Sequence, residues 1–309
     1  IDPSTLAMTF SVNDSPLAGT EGTKLTSREI RDRLFREAEG NVAIRVKESS
    51  QSEAFEVSGR GELQLAVLIE VMRREGFELS VSRPRVLYQT DENGNRLEPM
   101  EEVVIDVDEP YTGVVVEKIS TRKGELMDMR PTGGNKMRLK FLAPSRGLIG
   151  YHGEFLTDTR GTGVMNRLFH AYGPYKGPIA ARLKGTLIST DQGDSVAYAL
   201  FSIQERGSLF IGSGEKIYGG MIIGESSRDA DIEVNPLKAK QLTNIRTHSK
   251  DEALILTPPI RMTLERAVSY VADDELVEVT PKSVRLRKRY LDPNERKRES
   301  RKAAAAAEA

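Results

Sequence analysis

Between residues 235 and 289 the sequence gathers side chains suited to gripping phosphate. Lys238, Lys240, Arg246 and Lys250 lie with Asn244 in a loop-like segment, NPLKAKQLTNIRTHSK, rich in Asn, Thr and Ser. Further on, Val284 and Leu286 alternate with Arg285, Arg287 and Arg289. A strand's period of two would bury the first pair and project the three guanidiniums on one outer face, about 7 Å apart. Planar guanidiniums and mobile ammoniums are the groups that phosphate backbones recruit. The competing reading is a solvated charge run, or arginines bridged within the domain to Asp273, Asp274 or Glu275.

The charge distribution favours a polyanion at one end. The 309 residues sum to a net charge of −1, which conceals a gradient. Residues 1–110 hold 13 basic and 22 acidic side chains, a balance of −9; the remainder holds 32 and 24, a balance of +8. Such asymmetry suits a multi-domain body with one basic contact end, and an acidic first third argues against simple coating of nucleic acid.

Length allows two or three domains with their own cores. The chain has no Cys, which excludes disulfides and thiolate metal sites and suits a reducing cytoplasm. No apolar run approaches the roughly 18 residues a membrane span requires, and no basic-then-apolar signal pattern opens the chain, so no membrane partner is expected. The first residue is Ile rather than Met, which reads as a fragment of a longer protein.

An internal repeat organises the first 175 residues into two similar units. Leu6–Val12 reads as a strand, and Thr26 with Glu29 forms a capping-box spacing for a helix that puts Ile30, Leu34 and Ala38 on one face and stops at Gly40. Val42–Val46 and Ala54–Val57 read as strands, Glu62–Glu75 as a second helix, and Phe77–Val81 as a closing strand. The order recurs with strand Val103–Val107, helix Tyr111–Ile119, strands Leu126–Met129 and Met137–Leu142, helix Leu148–Leu156 and strand Val164–His170. The predicted class is α+β: two tandem ferredoxin-like βαββαβ domains at 1–90 and 91–180, then a mixed α/β C-terminal domain at 181–309. In that last domain we expect a helix over Ser195–Arg206 capped by Asp194, and another after Pro258-Pro259 that buries Leu264, Ala267, Val268 and Val271. Leu187–Ser189, Leu276–Val279 and Val284–Leu286 read as short strands, and the basic tail after about Asp292 as a solvated helix or disorder.

Where the third strand meets the second helix, the first unit has Ser58-Gly59-Arg60-Gly61 and the second Pro144-Ser145-Arg146-Gly147. Ser can cap a helix, Gly admits close backbone approach and Arg adds charge, which together would make a phosphate contact. A tight turn with an exposed arginine fits the same residues equally well.

Catalytic patterns are weaker. Gly207-Ser208-Leu209-Phe210-Ile211-Gly212-Ser213 approaches a phosphate-cradling loop but lacks its lysine and follows a helix. His152, His170 and His248 have no metal-ligand spacing, and Tyr151-His152-Gly153-Glu154 with Asp158 reads better as an exposed helix surface than as an acid–base pair. Asp273-Asp274-Glu275 could hold a hard cation but also closes a helix pattern. No catalytic residue, metal site or cofactor is therefore assigned to this chain.

Several phrases in order carry a family resemblance. Val57-Ser58-Gly59-Arg60-Gly61-Glu62-Leu63 and Met72-Arg73-Arg74-Glu75-Gly76-Phe77 resemble the third domain of elongation factor G-type translational GTPases, and Pro144-Ser145-Arg146-Gly147-Leu148-Ile149-Gly150 continues the match. Leu242-Thr243-Asn244-Ile245-Arg246, Thr257-Pro258-Pro259-Ile260-Arg261 and the stretch from Asp273 to Arg289 resemble the C-terminal domain of the BipA (TypA) GTPases. The resemblance implies that the two units correspond to elongation factor G domains III and V, and that GTP and Mg2+ belong to a GTPase domain outside this chain. It implies binding to the ribosome and large-subunit rRNA, with the loop at Asn235–Lys250 reaching toward an A-site tRNA acceptor arm. It also implies roles in large-subunit assembly, stress response and virulence, by a cytoplasmic monomer. The alternatives are a tandem ferredoxin-like module that senses a small ligand or docks a protein, and a hydrolase centred near His152.

Overall fold

The computed structural model describes residues 2–50, 53–179, 182–241 and 254–308, and its architecture is mixed α+β. The chain opens with β1 (Leu6–Ser11), α1 (Ser27–Gly40), β2 (Arg45–Glu48), β3 (Ala54–Gly59), α2 (Glu62–Arg74) and β4 (Leu79–Val81). Thr26 caps α1 as its spacing predicts: its hydroxyl accepts from Glu29 N at 3.2 Å, and the Glu29 carboxylate accepts from Thr26 N at 3.1 Å. The strands pair antiparallel in the order β4-β1-β3-β2, with Phe10 opposite both Phe55 and Val81. Ile30, Leu34, Leu65, Ile69 and Met72 from the two helices close over Met8, Phe10 and Val57.

Two short strands, β5 (Arg85–Val86) and β6 (Gln89–Thr90), lead into the second unit. It comprises β7 (Arg96–Asp108), α3 (Thr112–Thr121), β8 (Glu125–Gly133), β9 (Lys136–Pro144), α4 (Ser145–Leu148), α5 (Tyr151–Asp158) and β10 (Val164–Pro174). Its strand order, β10-β7-β9-β8, follows the same pattern as the first unit. The single helix expected over Leu148–Leu156 is two. Gly150 takes φ 77°, a left-handed conformation that Gly adopts readily, and breaks α4 from α5.

The last third contains β11 (Thr186–Ser189), β12 (Gly193–Asp194), α6 (Ala197–Ile203), β13 (Gly207–Leu209), β14 (Lys216–Ile217), β15 (Met221–Ser226) and β16 (Ile232–Val234). After these come α7 (Leu264–Tyr270), β17 (Glu275–Val279), β18 (Val284–Lys288) and α8 (Pro293–Glu308). Asp194 does not cap α6; it pairs with Lys216 across β12 and β14, and the helix begins after Val196 with no side-chain cap. α7 starts at a Thr263 cap, four residues beyond the last of the prolines expected to open it, and buries Leu264, Ala267 and Val268, with Val271 buried just past its end. The tail forms a helix, α8, with no buried residue.

The last third continues the first unit's sheet. β17 pairs with β4, Val277 opposite Val81 and Val279 opposite Leu79. The strand order runs β16-β11-β15-β18-β17-β4-β1-β3-β2. One apolar core therefore holds Met8, Phe10 and Met72 together with Leu264, Val268, Val277 and Leu286. The second unit attaches more lightly, through the small cluster Leu6, Val86 and Ile149 and a hydrogen bond from the Tyr172 hydroxyl to the Leu87 carbonyl (3.2 Å).

This arrangement corrects the outward arginine strand. β18 lies between β15 and β17, so both its edges are paired, and side chains on both its faces are buried. Leu286 enters the core as expected, yet Arg285 and Arg287 are also buried, at 9% and 1% exposure. Arg285 reaches Glu21 (2.6 Å) and Glu278 (3.2 Å), and Arg287 reaches Asp14 (2.5 Å) and donates to the Lys288 and Arg289 carbonyls at 3.1 Å each. Glu278, itself fully buried, also accepts from Asn13 Nδ2 (2.8 Å), the Ser15 hydroxyl and the Tyr218 hydroxyl (3.0 Å). The neighbouring carboxylate, Glu78, accepts from the backbone amides of Gly19, Glu21 and Gly22 at 2.7–3.1 Å, so the segment from Asn13 to Gly22 is pinned against the seam. Asp274 and Glu275 serve a second cluster instead: Lys288 binds Asp231 (2.7 Å), Glu275 (2.8 Å) and Asp274 (3.1 Å), and Arg182 grips Glu275 at 2.7 Å.

Two outcomes follow from the seam. Arg287→Ala should lower the unfolding free energy by about 2–4 kcal/mol, through a cavity and two carbonyls left without donors. Asp14→Ala should cost less than Arg287→Ala, because water can take the place of an exposed carboxylate beside the Arg287 guanidinium. Equal losses in urea unfolding would contradict this account. The second outcome concerns acid. Burial would raise the carboxyls of Glu21, Glu275 and Asp231, but hydrogen bonds and charge from Thr280 and Arg285, from Arg182 and Lys288, and from Lys288 and Thr186 respectively outweigh it and hold all three low. Carboxyls lowered by folding contribute stability above their ordinary values and lose it as pH falls through the folded-state values. The urea midpoint should therefore drop below about pH 4.5, and Glu21→Gln should make that drop shallower while lowering stability at neutral pH.

Candidate nucleic-acid interface

With Arg285 and Arg287 withdrawn into the seam, Arg289 remains exposed just past the end of β18. Lys238 and Lys240 are exposed in the segment that follows β16. Asn244, Arg246 and Lys250 lie outside the described residues. The flanks of that loop are nevertheless well anchored. On the outgoing side Val196 N donates to the Pro236 carbonyl (3.0 Å), and the Asn235 side chain accepts from Leu237 N (2.9 Å), an Asx turn of the kind Asn favours before a bend. On the returning side the Gln204 amide holds the chain at both ends, donating to the Ile255 carbonyl (3.1 Å) and accepting from Thr257 N (2.9 Å). Both flanks therefore rest on α6 and the single 3-10 turn, Gln204–Arg206, that ends it.

The α6 segment, AYALFSI, is apolar except for the exposed Ser202. Ala199, Leu200 and Ile203 face the core, whereas Tyr198 and Phe201 stand 43% and 38% exposed between the two loop flanks. These aromatics were missed in the sequence reading, although a helix with more apolar residues than one buried face can use was a visible signal. In α8, Lys297, Arg298, Arg301 and Lys302 are exposed, while Arg296 is taken up by Glu233 (2.9 Å) and the Tyr290 and Leu291 carbonyls.

The two repeated loops have diverged in use. Arg146 is not available to a phosphate: it makes a forked pair with the buried Glu98 at 3.0–3.2 Å, donates to the Gly177 carbonyl and stacks 4.5 Å from the Tyr175 ring. Ser58 is buried within β3 opposite Ala7. Arg60 is exposed, its backbone amide donating to the Gln64 side chain (2.9 Å). Arg60 and the buried Ser145 line one cleft of about 160 Å³ between the two units, together with Asp2, Glu101 and Arg167. Arg167 bridges the units, reaching Glu62 at the start of α2 (3.2 Å) and Glu101 on β7 (3.0 Å). Burial pushes the Glu62 carboxyl up, only partly countered by Arg167. The cleft's two carboxylates balance its two guanidiniums, so it ties the units together rather than attracting an anion.

The carboxylates of the candidate acid–base group are taken up in ion pairs. Glu154 and Asp158, beside His152 on α5, pair with Lys118 at 3.3 and 2.8 Å, and burial pushes the Tyr151 hydroxyl up to about 12. Residues Gly207–Leu209 of the candidate phosphate loop form β13, hydrogen-bonded to β15. Among the described residues no group of three His, Asp or Glu could hold a metal ion, and no helix is long and apolar enough to cross a membrane.

Comparison with known proteins agrees with the order of these parts. Residues 95–183 match the family described as the elongation factor G C-terminus, and residues 184–293 the TypA/BipA C-terminal domain. The chain is 51% identical over 302 residues to the large ribosomal subunit assembly factor BipA of Escherichia coli, an alignment covering 97% of this chain and 50% of that protein. The protein of the same name from Haemophilus influenzae is also 51% identical over 302 residues, covering 97% and 49%. That from Synechocystis sp. is 49% identical over 288 residues, covering 93% and 48%. The chain thus spans about half the length of the curated relatives it matches, and nearly all of it aligns. On this evidence the chain belongs to the TypA/BipA family.

Proposed function

We propose that this chain is the ribosome-contacting part of a BipA-type translational GTPase that acts in assembly of the large ribosomal subunit. The observation that carries the reading is identity of about one residue in two, along 97% of the chain, to proteins named as large ribosomal subunit assembly factors. The two βαββαβ units act as tandem ferredoxin-like domains, equivalent to domains III and V of elongation factor G. GTP and Mg2+ are held by a portion outside this chain. The last third binds large-subunit rRNA through Lys238, Lys240 and Arg289 and through the loop that carries Asn244, Arg246 and Lys250, with an A-site tRNA acceptor arm within reach. The protein works in the cytoplasm as a monomer, in assembly and in stress and virulence responses.

The shared sheet supplies a physical route from nucleotide state to RNA contact. A rotation imposed on the first unit must carry β17 and β18 with it, because β4 and β17 are adjacent strands over one core. The loop flanks move with that body. The second unit, fastened by Arg167 and a three-residue apolar cluster, has freedom to reorient.

Lys238→Glu combined with Lys240→Glu should weaken co-sedimentation with purified large subunits and flatten the dependence of log affinity on log salt by about 2, since each phosphate contact contributes about 0.9. Circular dichroism should not change, because both side chains are exposed. Binding with an unaltered salt slope would move the contact elsewhere. In a separate titration, a fluorescent GTP analogue should show no saturable binding to this chain at micromolar concentration; saturation would return attention to the segment Gly207–Ser213.

A further inference from the structure

We infer that the exposed face of α6 is a stacking platform for unpaired RNA bases, formed by Tyr198 and Phe201. This deepens the proposed RNA-binding function and rests on it. Tyr198 and Phe201 are three apart on one helix, so their rings stand side by side, roughly 5–6 Å apart at Cβ. The core side of the helix is held by Ala199, Leu200 and Ile203, at 5%, 0% and 6% exposure. A solvent-facing helix surface is ordinarily polar, and two large aromatic side chains left about 40% exposed mark a surface with a partner.

The surroundings indicate which partner. The amino end of α6 is stitched on one side to the segment from Gly212 to Lys216, where Ser195 N donates to the Glu215 carbonyl (2.9 Å) and the Ser195 hydroxyl to the Gly212 carbonyl (2.7 Å). On its other side lies Pro236, two residues before Lys238. Exposed Lys238 and Lys240 follow Pro236 in the chain, and exposed Lys216 lies opposite Asp194 and next to Glu215, whose carboxylate is paired with Arg261. Flat π faces beside mobile ammoniums are the combination by which proteins hold single-stranded RNA: bases stack on the rings while phosphates meet the cations. A paired A-form helix presents its sugars and phosphates outward and offers no base face to these rings. A protein segment would use the apolar area but not the lysines.

The test uses 5′-labelled single-stranded RNA octamers and a duplex of the same length, measured by anisotropy, with large-subunit co-sedimentation run in parallel. Tyr198→Leu combined with Phe201→Leu keeps apolar bulk and removes the π faces. It should weaken octamer binding by roughly ten-fold or more, while duplex binding and the salt slope stay unchanged. Because the chain contains no Trp, Tyr198→Trp supplies a single indole, whose emission should be quenched by the octamer and not by the duplex. Unchanged octamer affinity in the leucine variant, or an indole indifferent to the octamer, would overturn the platform. Lost subunit binding with intact octamer binding would also overturn it, and would assign the face to a protein. Wild-type chain that binds subunits but no octamer would sink the platform and leave the proposed function standing. Wild-type chain that binds neither would sink both.

Discussion

The pairing of β4 with β17 is the contact on which the rest of the molecule depends. It places residues about 200 positions apart in the sequence on adjacent strands and makes one sheet and one core from the two ends of the described chain. Burying that seam creates a problem of charge. Glu78, Glu278, Arg285 and Arg287 are all withdrawn from water there, and a buried charge is tolerable only when paired and hydrogen-bonded. The segment from Asn13 to Gly22 solves it. Its backbone amides satisfy Glu78, Asn13 and Ser15 satisfy Glu278, and Asp14 and Glu21 meet the two arginines. An acidic, turn-rich stretch near the amino end is thus the counterpart of a basic strand near the other.

The same economy explains why two loops with nearly the same residues diverge. Arg60 projects into the cleft between the units, whereas Arg146 is drawn back by Glu98, a carboxylate at 1% exposure that needs a cation beside it. A guanidinium in a short loop goes where the nearest buried carboxylate is, and only the packing of β7 decides that one lies beside Arg146. The second unit then hangs on a mixed and modest interface, led by Arg167, while the first unit and the last third are locked together. This division of stiffness suits a protein whose far end must answer to events at its near end.

The surface proposed to meet RNA is correspondingly narrower and more mixed than the basic composition of the last third suggests. Several of its cations are consumed internally: Arg182 by Glu275, Lys288 by three carboxylates, and Arg296 by Glu233 and two carbonyls. The exposed cations that remain include Lys238 near the start of α6, Arg289 past the end of β18 and the basic side chains of α8.

Much of the fold was legible in the sequence because its signals are local. The Thr26–Glu29 capping box, the apolar faces of α1, α2 and α7, the recurrence of the element order, and the phrases shared with a known family are all readable within a few dozen residues. Alternation in β18 was legible as well, but only as parity. It says that Leu286 and Arg287 point to opposite sides, and it is silent on what covers each side. That depends on which segments pack against each face of the sheet at β18, and packing partners distant in sequence leave no periodic trace. Hence Arg285 and Arg287, which read as an outer face, are interior ion pairs. The rings of Tyr198 and Phe201 are likewise decided only by the tertiary structure, which determines how much of each apolar side chain on α6 is covered.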